Sequence, residues 1–570
     1  MGFERLRANG PDRLLPGFED ATVRLVRPFS WDAPDRGFEA VEVPVQPDGV
    51  TVVSGPYATA DAAALEAGAD LDFPGLPGDQ AHRYLAQGVP AAGSARFQDG
   101  LGLLTVASPD GLALALAQDY SGTVLTTLRA EPGGLRLTVS LPAATFSPSA
   151  PAEPPTAVLR TGAGDHDVAE GWLREAVRAA IPARPDGPLT PPLIADTWGF
   201  GTAITPELVA RFVDAAADLG VDVVTVDKGW EDEVGDWNAA AGYSGGLAAL
   251  AAAVHARGVA FGLWCAAGNA APSSRVLREH PEWRAVWRGR AVIQSHDTYV
   301  LCLGHEPARA YVESRLEALV EAGVDWLLHD FETIARCDSA EHTHDPGAGE
   351  HACEAGWYAT LAALRARHPA LVVENCWNGG RPVDLRMVAH HDTTIGDDWA
   401  RSEFNRVAKL GLGRYLPSSW CTAYMSDEDL PSTSQLAPYV VGGPWVVMGD
   451  VAGWRPEHRA LVRRAAEVYR AWRSPSLDRH VEAVVTEPAL PAVGIGRDDG
   501  AQLAAVVVPP VSAGTPARWF PSPRPGAALY TLTDEWTGAT RTVTAAAVTA
   551  GIDLDTSAPA GLLLSLTPSA

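Results

Sequence analysis

The pattern of apolar and polar positions changes twice along the chain. As far as residue 165, short strand-like segments such as ATVRLVRPF, GLALALAQ and LRLTVSLPAA are separated by turns rich in Gly, Pro and Asp. From residue 193 strands alternate with amphipathic helices, and after Pro475 short strands such as QLAAVVV and GLLLSLT return. The outer patterns are typical of antiparallel β domains, and the middle one is typical of an α/β domain with a parallel sheet.

These changes divide the chain into domains. We predict an N-terminal β-sandwich over 1–165, a linker helix and Pro-rich linker over 166–192, a (β/α)8 barrel over 193–475 and a C-terminal antiparallel β domain over 476–570. Eight strand and helix pairs fit the middle part, from IADTW at 194–198 to PWVVMGDV at 444–451. The predicted helices include one over 355–367 and one over 456–472. The predicted fold class is therefore an α/β TIM barrel flanked by two β domains.

One predicted barrel strand ends in a group of polar residues. The stretch GVDWLLHDFE, residues 323–332, begins as a buried strand and ends in His329, Asp330 and Glu332. Barrel enzymes keep their chemistry at the carboxyl ends of the strands, so we predict that Asp330 is a catalytic carboxylate. The alternative is that Asp330 caps the next turn or helix, which is the commoner role of a single Asp.

Carboxylates and tryptophans also follow the other predicted strands. A tryptophan face stacks on the apolar face of a sugar ring, and carboxylates accept hydrogen bonds from sugar hydroxyls. The sequence therefore predicts a carbohydrate site at one end of the barrel. The polar and aromatic residues at the strand ends are Asp196, Trp198, Asp227, Lys228, Trp230, Trp264, Asn375, Cys376, Trp377, Asp397, Asp398, Trp420 and Asp450.

Charge and composition exclude some partners. The chain has 44 Lys and Arg against 70 Asp and Glu, a net charge of -26, so we expect neither nucleic acid nor an anionic membrane as a partner. We find no apolar run of about 18 residues and no secretory signal at the start, and we expect a cytoplasmic protein. The six cysteines form no CxxC pair, so free thiols are expected. A homo-oligomer remains open.

The segments that carry these residues resemble a known family. DTWGF, VDKGWED with DWN, FGLWCAAG followed by LREHPEW, WLLHDFE, ENCWNGGRPVDL and IGDDWA occur in this order over residues 193–399. They are similar to glycoside hydrolase family 36, which contains α-galactosidases and raffinose-type galactosyltransferases. The resemblance implies a retaining exo-α-glycosidase that acts on a glycoside or oligosaccharide and needs no cofactor. Retention requires two carboxyl groups about 5–5.5 Å apart in one pocket.

The resemblance also implies roles for individual residues. It matches the nucleophile to Asp330 and the acid/base to Asp397, with Asp398 ranked second because it falls where the family often has Asn. It matches Asp227 to a sugar-binding Asp. Trp198, Trp264 and Cys376 match positions that line the sugar, and the remaining predicted substrate contacts are Lys228, Trp230, His296, His329, Glu332 and Trp377.

The chain departs from the family pattern at three positions. Lys228 replaces a second sugar-binding Asp, Leu328 replaces a Lys two residues before the nucleophile, and His296 replaces an Arg. A Lys has only donors and cannot accept hydrogen bonds from sugar hydroxyls, so an altered sugar specificity is expected. Lys228 could replace the missing Lys from across the pocket. The alternatives to a hydrolase are a transglycosylase and a carbohydrate-binding protein that has lost catalysis.

A loop after the Asp330 strand contains residue types that bind metals. It reads CDSAEHTHDPGAGEHAC, residues 337–353, and includes Cys337, His342, His344, His351 and Cys353. The favoured interpretation is a solvated loop that covers the substrate, and no metal is expected. A zinc site is the alternative.

Overall fold

The architecture is described from a computed structural model. It describes residues 2–28, 37–55, 82–83, 97–141, 155–293, 297–396, 398–426, 432–475, 480–481, 485, 490–497 and 499–569.

Two antiparallel-rich sheets form the N-terminal region. A six-stranded sheet has the order β1-β12-β9-β8-β3-β4 and a five-stranded sheet the order β2-β11-β10-β5-β7. Buried and half-buried residues alternate in β11, because successive side chains of a strand point to opposite faces. The strands are β1 Glu4–Arg7, β2 Arg13–Leu15, β3 Thr22–Val26, β4 Ala40–Pro44, β5 Val50–Ser54, β6 His82–Arg83, β7 Phe97–Asp99, β8 Leu103–Ala107, β9 Leu112–Asp119, β10 Val124–Glu131, β11 Gly134–Ser140 and β12 Thr156–Ala163.

Eight strands close into a parallel barrel, which confirms the predicted TIM barrel. Their order around the barrel is the order along the chain. All four residues of the strand before Asp330 are buried, as expected for a parallel strand covered on both faces. The strands are β13 Leu193–Asp196, β14 Val223–Val226, β15 Ala260–Cys265, β20 Trp326–His329, β21 Val372–Asn375, β22 Thr393–Ile395, β23 Cys421–Ser426 and β24 Trp445–Met448.

A small sheet is inserted between β15 and β20. It contains β16 Asn269–Ala270, β17 Val286–Trp287, β18 Arg290–Ile293 and β19 Tyr299–Val300, and β6 pairs with β18.

The helices follow the strands as the alternating pattern predicts. One begins with Pro206 at its first position after the capping residue Thr205, and it ends at Gly220 in the left-handed conformation. The helices are α1 His166–Ala180, α2 Pro206–Leu219, α3 Gly246–His255, α4 Arg275–Glu279, α5 Glu306–Glu321, α6 Gly349–Arg367, α7 Trp377–Gly380, α8 Leu385–Val388, α9 Ser402–Leu412, α10 Thr433–Val440, α11 Pro456–Trp472 and α12 Ala545–Ala550.

The C-terminal region forms a six-stranded sheet in the order β25-β26-β27-β32-β29-β30, with β28 and β31 paired separately. Its core contains Trp519, Tyr530 and Leu566. The strands are β25 His480–Val481, β26 Ala492–Gly496, β27 Gln502–Val508, β28 Arg518–Trp519, β29 Leu529–Asp534, β30 Ala539–Thr544, β31 Ile552–Asp553 and β32 Ala560–Pro568.

The chain forms two compact units. The first contains residues 1–186, 226–256 and 260–394, and the second contains 187–225, 257–259 and 395–570. These units divide the strands of the barrel between them, so the predicted domain boundaries stay a prediction. Among the described residues, we find no helix with the length and apolar character needed to cross a membrane.

Candidate active site

Asp330 lies directly after β20, at the carboxyl end of a barrel strand. Its backbone N–H donates to the carbonyl of Cys265 at the end of β15, 3.0 Å away. The indole Nε1–H of Trp264 donates to Asp330 Oδ2 at 3.0 Å. Phe331 has φ of 56°, so the chain turns sharply after the carboxylate. The half-buried Asp330 carboxylate is therefore held by a rigid strand end and by one directed donor.

An aromatic cluster packs around the Trp264 indole. Its ring meets Phe331 edge to face at 5.4 Å between centroids and Trp237 at 5.9 Å. Trp230 stacks on Trp237 at 6.4 Å and donates its Nε1–H to the Trp264 carbonyl at 2.9 Å. Trp237 and Phe331 were not predicted as members of this cluster. The cluster fixes the donor that holds Asp330.

Most of the predicted tryptophan contacts are buried. Trp230, Trp264 and Trp377 are exposed by 1%, 2% and 0%, whereas Trp198 is 39% exposed. The predicted sugar contacts of Trp230 and Trp377 are therefore corrected to packing roles, because a ring with no exposed face cannot stack on a sugar. Trp264 acts on Asp330 through its N–H.

Lys228 lies beside the same cluster. Its Nζ is 5.3 Å from the centroid of the Phe331 ring and 5.7 Å from that of Trp264. Burial lowers the pKa of Lys228, and the negative charges of Glu231, Asp330 and Asp227 oppose this effect. The Lys228 ammonium thus lies beside the two rings that adjoin Asp330, and it interacts electrostatically with three carboxylates.

Two further carboxylates surround Lys228. Asp227 is buried, and its Oδ1 accepts from the backbone N–H of Lys228 at 2.6 Å. Glu231 accepts from the N–H of Gly229 at 2.9 Å, and burial raises its carboxyl pKa. Glu231 was not predicted as a site residue, although it lies in the VDKGWED motif.

His329, the last residue of β20, packs in the interior of the protein. Its Nε2 lies 2.8 Å from Thr333 Oγ1, and its ring centroid lies 4.2 Å from that of Trp357 in α6 and 6.1 Å from that of Trp377. Burial lowers the pKa of His329 well below its ordinary value, so the ring is neutral. Because the His329 side chain is completely buried, its predicted substrate contact is corrected to an interior position.

Three other polar or sulfur-containing residues lie at or just after the ends of β20 and β21. Glu332 is completely buried, so its predicted substrate contact is corrected to an interior position. The backbone N–H of Cys376 donates to the His329 carbonyl at 2.8 Å, which ties the two strand ends together. The side-chain amide of Asn375 donates to Thr394 Oγ1 at 2.9 Å.

Three other predicted residues, Asp196, Trp198 and Asp398, lie in the second compact unit. Asp196 caps the turn Thr197–Phe200 by accepting from the Trp198 N–H at 2.7 Å, and this turn presents the exposed Trp198 ring. Asp398 is half-buried. Asp397 and His296, predicted as the acid/base and as a sugar contact, lie outside the described residues.

The segment 337–353 is solvated only in part, since residues 340, 341, 343 and 346 are exposed and its two cysteines and His342 are buried. Cys337 and Cys353 have no exposed surface, and His342 is 9% exposed. Single ligand atoms of Cys302, Cys337, His342 and His344 all lie within 4.8 Å of one another. Hydrogen bonds with the side chains of Cys302, His342 and His344 lower the pKa of the Cys337 thiol, against the opposing effect of burial.

Comparisons with known proteins agree with the resemblance in the barrel sequence. Residues 187–428 match the sequence model of the family described as Melibiase. The chain is 26% identical over 276 residues to α-galactosidase Mel36A of Lactobacillus acidophilus, covering 46% of this chain and 37% of that protein. It is 28% identical over 298 residues to an α-galactosidase of Escherichia coli, covering 50% and 42%. The matched region thus spans less than half the length of these curated relatives.

Solved structures share the fold over nearly the whole chain. The family 36 α-galactosidase AgaA of Geobacillus stearothermophilus superposes with a TM-score of 0.77 at 16% identity, covering 98% of this chain and 76% of that one. The galactosidase domain of the α-galactosidase–sucrose kinase AgaSK superposes with a TM-score of 0.76 at 18% identity, covering 98% and 75%.

Proposed function

Because the chain is a divergent, α-galactosidase-like member of glycoside hydrolase family 36, we propose that it hydrolyses terminal α-linked sugars with retention of anomeric configuration. The observation that carries this proposal is the Asp330 carboxylate, fixed after β20 and held by the Trp264 indole N–H at 3.0 Å. Retaining glycosidases need a carboxylate in a fixed orientation, because it must approach the anomeric carbon in line with the bond that breaks.

The proposed reaction has two displacements. Asp330 attacks the anomeric carbon and forms a glycosyl ester, while the bond to the leaving oxygen breaks and Asp397 protonates that oxygen. Asp397 then takes a proton from water, the water oxygen attacks the anomeric carbon, and the Asp330 carboxylate is released. Each step inverts the anomeric carbon, so the product has the configuration of the substrate.

The sugar specificity is proposed to differ from that of the α-galactosidase relatives. The AgaA structures include complexes with raffinose and with stachyose, so α-galactosides are the first substrates to test. Lys228 offers an ammonium where the family resemblance implies an Asp, and this ammonium lies by the aromatic rings that adjoin Asp330. A donor-only group favours acceptor atoms on the sugar, so the preferred sugar is expected to differ at the hydroxyl it meets.

A substrate screen followed by a variant tests the proposal. Aryl α-glycosides of galactose, glucose, N-acetylgalactosamine, arabinopyranose and a uronic acid are compared, and Asp330→Asn is assayed on whichever is cleaved. Loss of nearly all turnover supports the proposal, with Asp338→Asn as the control because Asp338 accepts only a backbone N–H of Arg288 among its described hydrogen bonds and lies beyond the strand end. An unchanged rate in Asp330→Asn contradicts it.

Azide distinguishes a nucleophile from a structural carboxylate. In Asp330→Gly, azide is expected to occupy the vacated space and attack the anomeric carbon of an activated α-glycoside, which gives a β-glycosyl azide by a single inversion. Failure of azide to restore turnover while the variant stays folded contradicts the role of Asp330. Product analysis with and without a sugar acceptor separates hydrolysis from glycosyl transfer.

A further inference from the structure

Two cysteines and two histidines meet in the first compact unit. Cys302 follows β19, and the other three residues lie between β20 and α6. Cys302 Sγ is 3.2 Å from His344 Nε2, and Cys337 Sγ is 3.2 Å from His342 Nδ1. One ligand atom from each of the four residues lies within 4.8 Å of all the others. Two separate parts of the chain therefore contribute side chains to this cluster.

Both imidazoles present an acceptor nitrogen to the sulfurs. His342 Nε2 lies 2.8 Å from the carbonyl of Glu282, and His344 Nδ1 lies 3.0 Å from the carbonyl of Asp345. A carbonyl can only accept, so each of these ring nitrogens carries the proton. In the neutral form of each ring, the opposite nitrogens, Nδ1 of His342 and Nε2 of His344, carry the lone pairs, and both face the thiols. Metal-binding histidines are oriented in this way by an outer hydrogen bond.

Close packing holds the cluster in place. A Cβ on Gly349 would lie 1.6 Å from the Cys337 carbonyl oxygen, and one on Gly304 would lie 2.9 Å from Cδ2 of the His344 ring. The His305 ring stacks on His342 with a centroid distance of 4.6 Å. The backbone N–H of Val286 donates to Cys337 Sγ at 3.5 Å. The ligand atoms are thus positioned before any ion arrives.

We propose that Cys302, Cys337, His342 and His344 form a tetrahedral zinc site. Zinc bonds of about 2.3 Å to sulfur and about 2.0–2.1 Å to nitrogen place tetrahedral ligand atoms about 3.3–3.8 Å apart. The observed separations of 3.2 Å for two pairs and at most 4.8 Å for the rest reach that geometry with small side-chain movements. Two thiolates and two imidazoles favour zinc over magnesium or calcium, which prefer oxygen.

The site is structural, because four protein ligands leave no open position for substrate. It connects the segment that begins after Asp330 with the segment around Cys302 and, through His342, with Glu282. The bound ion is therefore expected to stabilise the loop that follows the candidate nucleophile. The zinc site does not depend on the reaction proposed above, since its test measures metal and stability.

Metal analysis of the intact chain tests the proposal directly. Protein purified without chelators and supplied with Zn²⁺ is expected to retain about one zinc per chain after gel filtration. Replacement by Co²⁺ is expected to give the thiolate-to-cobalt charge-transfer band and the intense visible bands of a tetrahedral site. Removal of the metal is expected to lower the thermal midpoint, because an ion that binds only the folded state stabilises it.

Variants assign the ligands. Cys337→Ser and His342→Ala are expected to lose the zinc, whereas Cys421→Ser, a buried thiol of β23 outside the cluster, is expected to keep it. Cys353 is a second control, since its Sγ lies 3.6 Å from Cys302 Sγ without belonging to the four-residue set.

Three results would overturn the zinc site, and none of them requires a variant to fold. They are a wild-type chain that binds neither Zn²⁺ nor Co²⁺, octahedral cobalt bands without thiolate absorption, and a Cys302–Cys353 disulfide found by peptide mapping of the native protein.

Discussion

Removal of one hydrogen-bond donor should separate the two steps of the proposed reaction. The Trp264→Phe variant keeps an aromatic ring next to Phe331, whose centroid lies 5.4 Å from that of the wild-type indole. It loses the Nε1–H that donates to Asp330 Oδ2 at 3.0 Å. A hydrogen bond to a charged group contributes about 1.5–3 kcal/mol, which corresponds to a rate change of about 10- to 150-fold.

The direction of the effect differs between the steps. In the first step Asp330 loses negative charge as it attacks, so the hydrogen bond that it accepts from the Trp264 N–H weakens. Loss of this donor therefore does not raise the barrier of the first step. In the second step the carboxylate is released and regains its charge, so the lost donor raises that barrier. We therefore predict that kcat falls by about 10- to 150-fold while kcat/KM, which reports the first step, falls much less.

Pre-steady-state kinetics with an activated aryl α-glycoside measure both steps. Wild-type protein and Trp264→Phe are compared, with Trp237→Phe as the matched control because Trp237 contacts the Trp264 ring at 5.9 Å without donating to Asp330. The variant should show a larger burst of aryl product followed by a slower steady state. Equal losses in kcat for both variants, or a fall confined to kcat/KM, would refute the role given to the indole N–H.

Three further predictions concern specificity and stability. Lys228→Met should lower kcat/KM on the preferred glycoside about tenfold and change the ranking of the aryl glycosides, whereas Lys228→Arg, which keeps the charge, should change it less; an unchanged ranking in Lys228→Met contradicts the specificity argument. Burial raises the pKa of Glu354 to about 8 from 4.5, so the folded state binds the Glu354 proton more tightly than the unfolded state. The stability that this protonation contributes at low pH is lost as the pH rises from 4.5 to 8. Glu354→Gln should therefore raise the thermal midpoint at pH 8 more than at pH 5, and an equal change at both pH values contradicts this. Gly356→Ala should lower the free energy of unfolding by about 1–3 kcal/mol, and with it the thermal midpoint, because the new Cβ would lie 2.1 Å from the Leu303 carbonyl oxygen. Gly171→Ala in α1, whose Cβ would meet only Arg174 at 3.6 Å, should raise the thermal midpoint.

The order of the elements could be predicted because local signals define it. The helix predicted over 456–472 has those bounds in the structure. Its start is marked by Pro456, because proline is favoured at the first helical position, where its missing N–H costs no hydrogen bond. The helix predicted over 355–367 begins at Gly349 instead. Its first turn buries Glu350, which accepts from the Thr123 N–H of the N-terminal region at 2.6 Å. A contact between residues so distant in sequence leaves no local pattern.

The site was predictable in type but not in orientation. The motif around Asp330 indicates a strand end, but it does not indicate that His329 is completely buried while Asp330 is half-buried. The helix α6 that covers His329 with Trp357 sets which face is interior. The cysteine and histidine cluster shows the same limit, because Cys302 lies far upstream of Cys337 and only the barrel connection brings them together.

The proposed reaction requires that Asp330 forms the covalent glycosyl-enzyme. It is tested most directly with a fluorinated α-glycosyl fluoride that forms the ester but slows its hydrolysis, followed by proteolysis and tandem mass spectrometry of the labelled peptide. We expect one glycosyl group per chain, attached to Asp330. A label on another carboxylate, or turnover of the natural anomer with inverted product and no label, would contradict it.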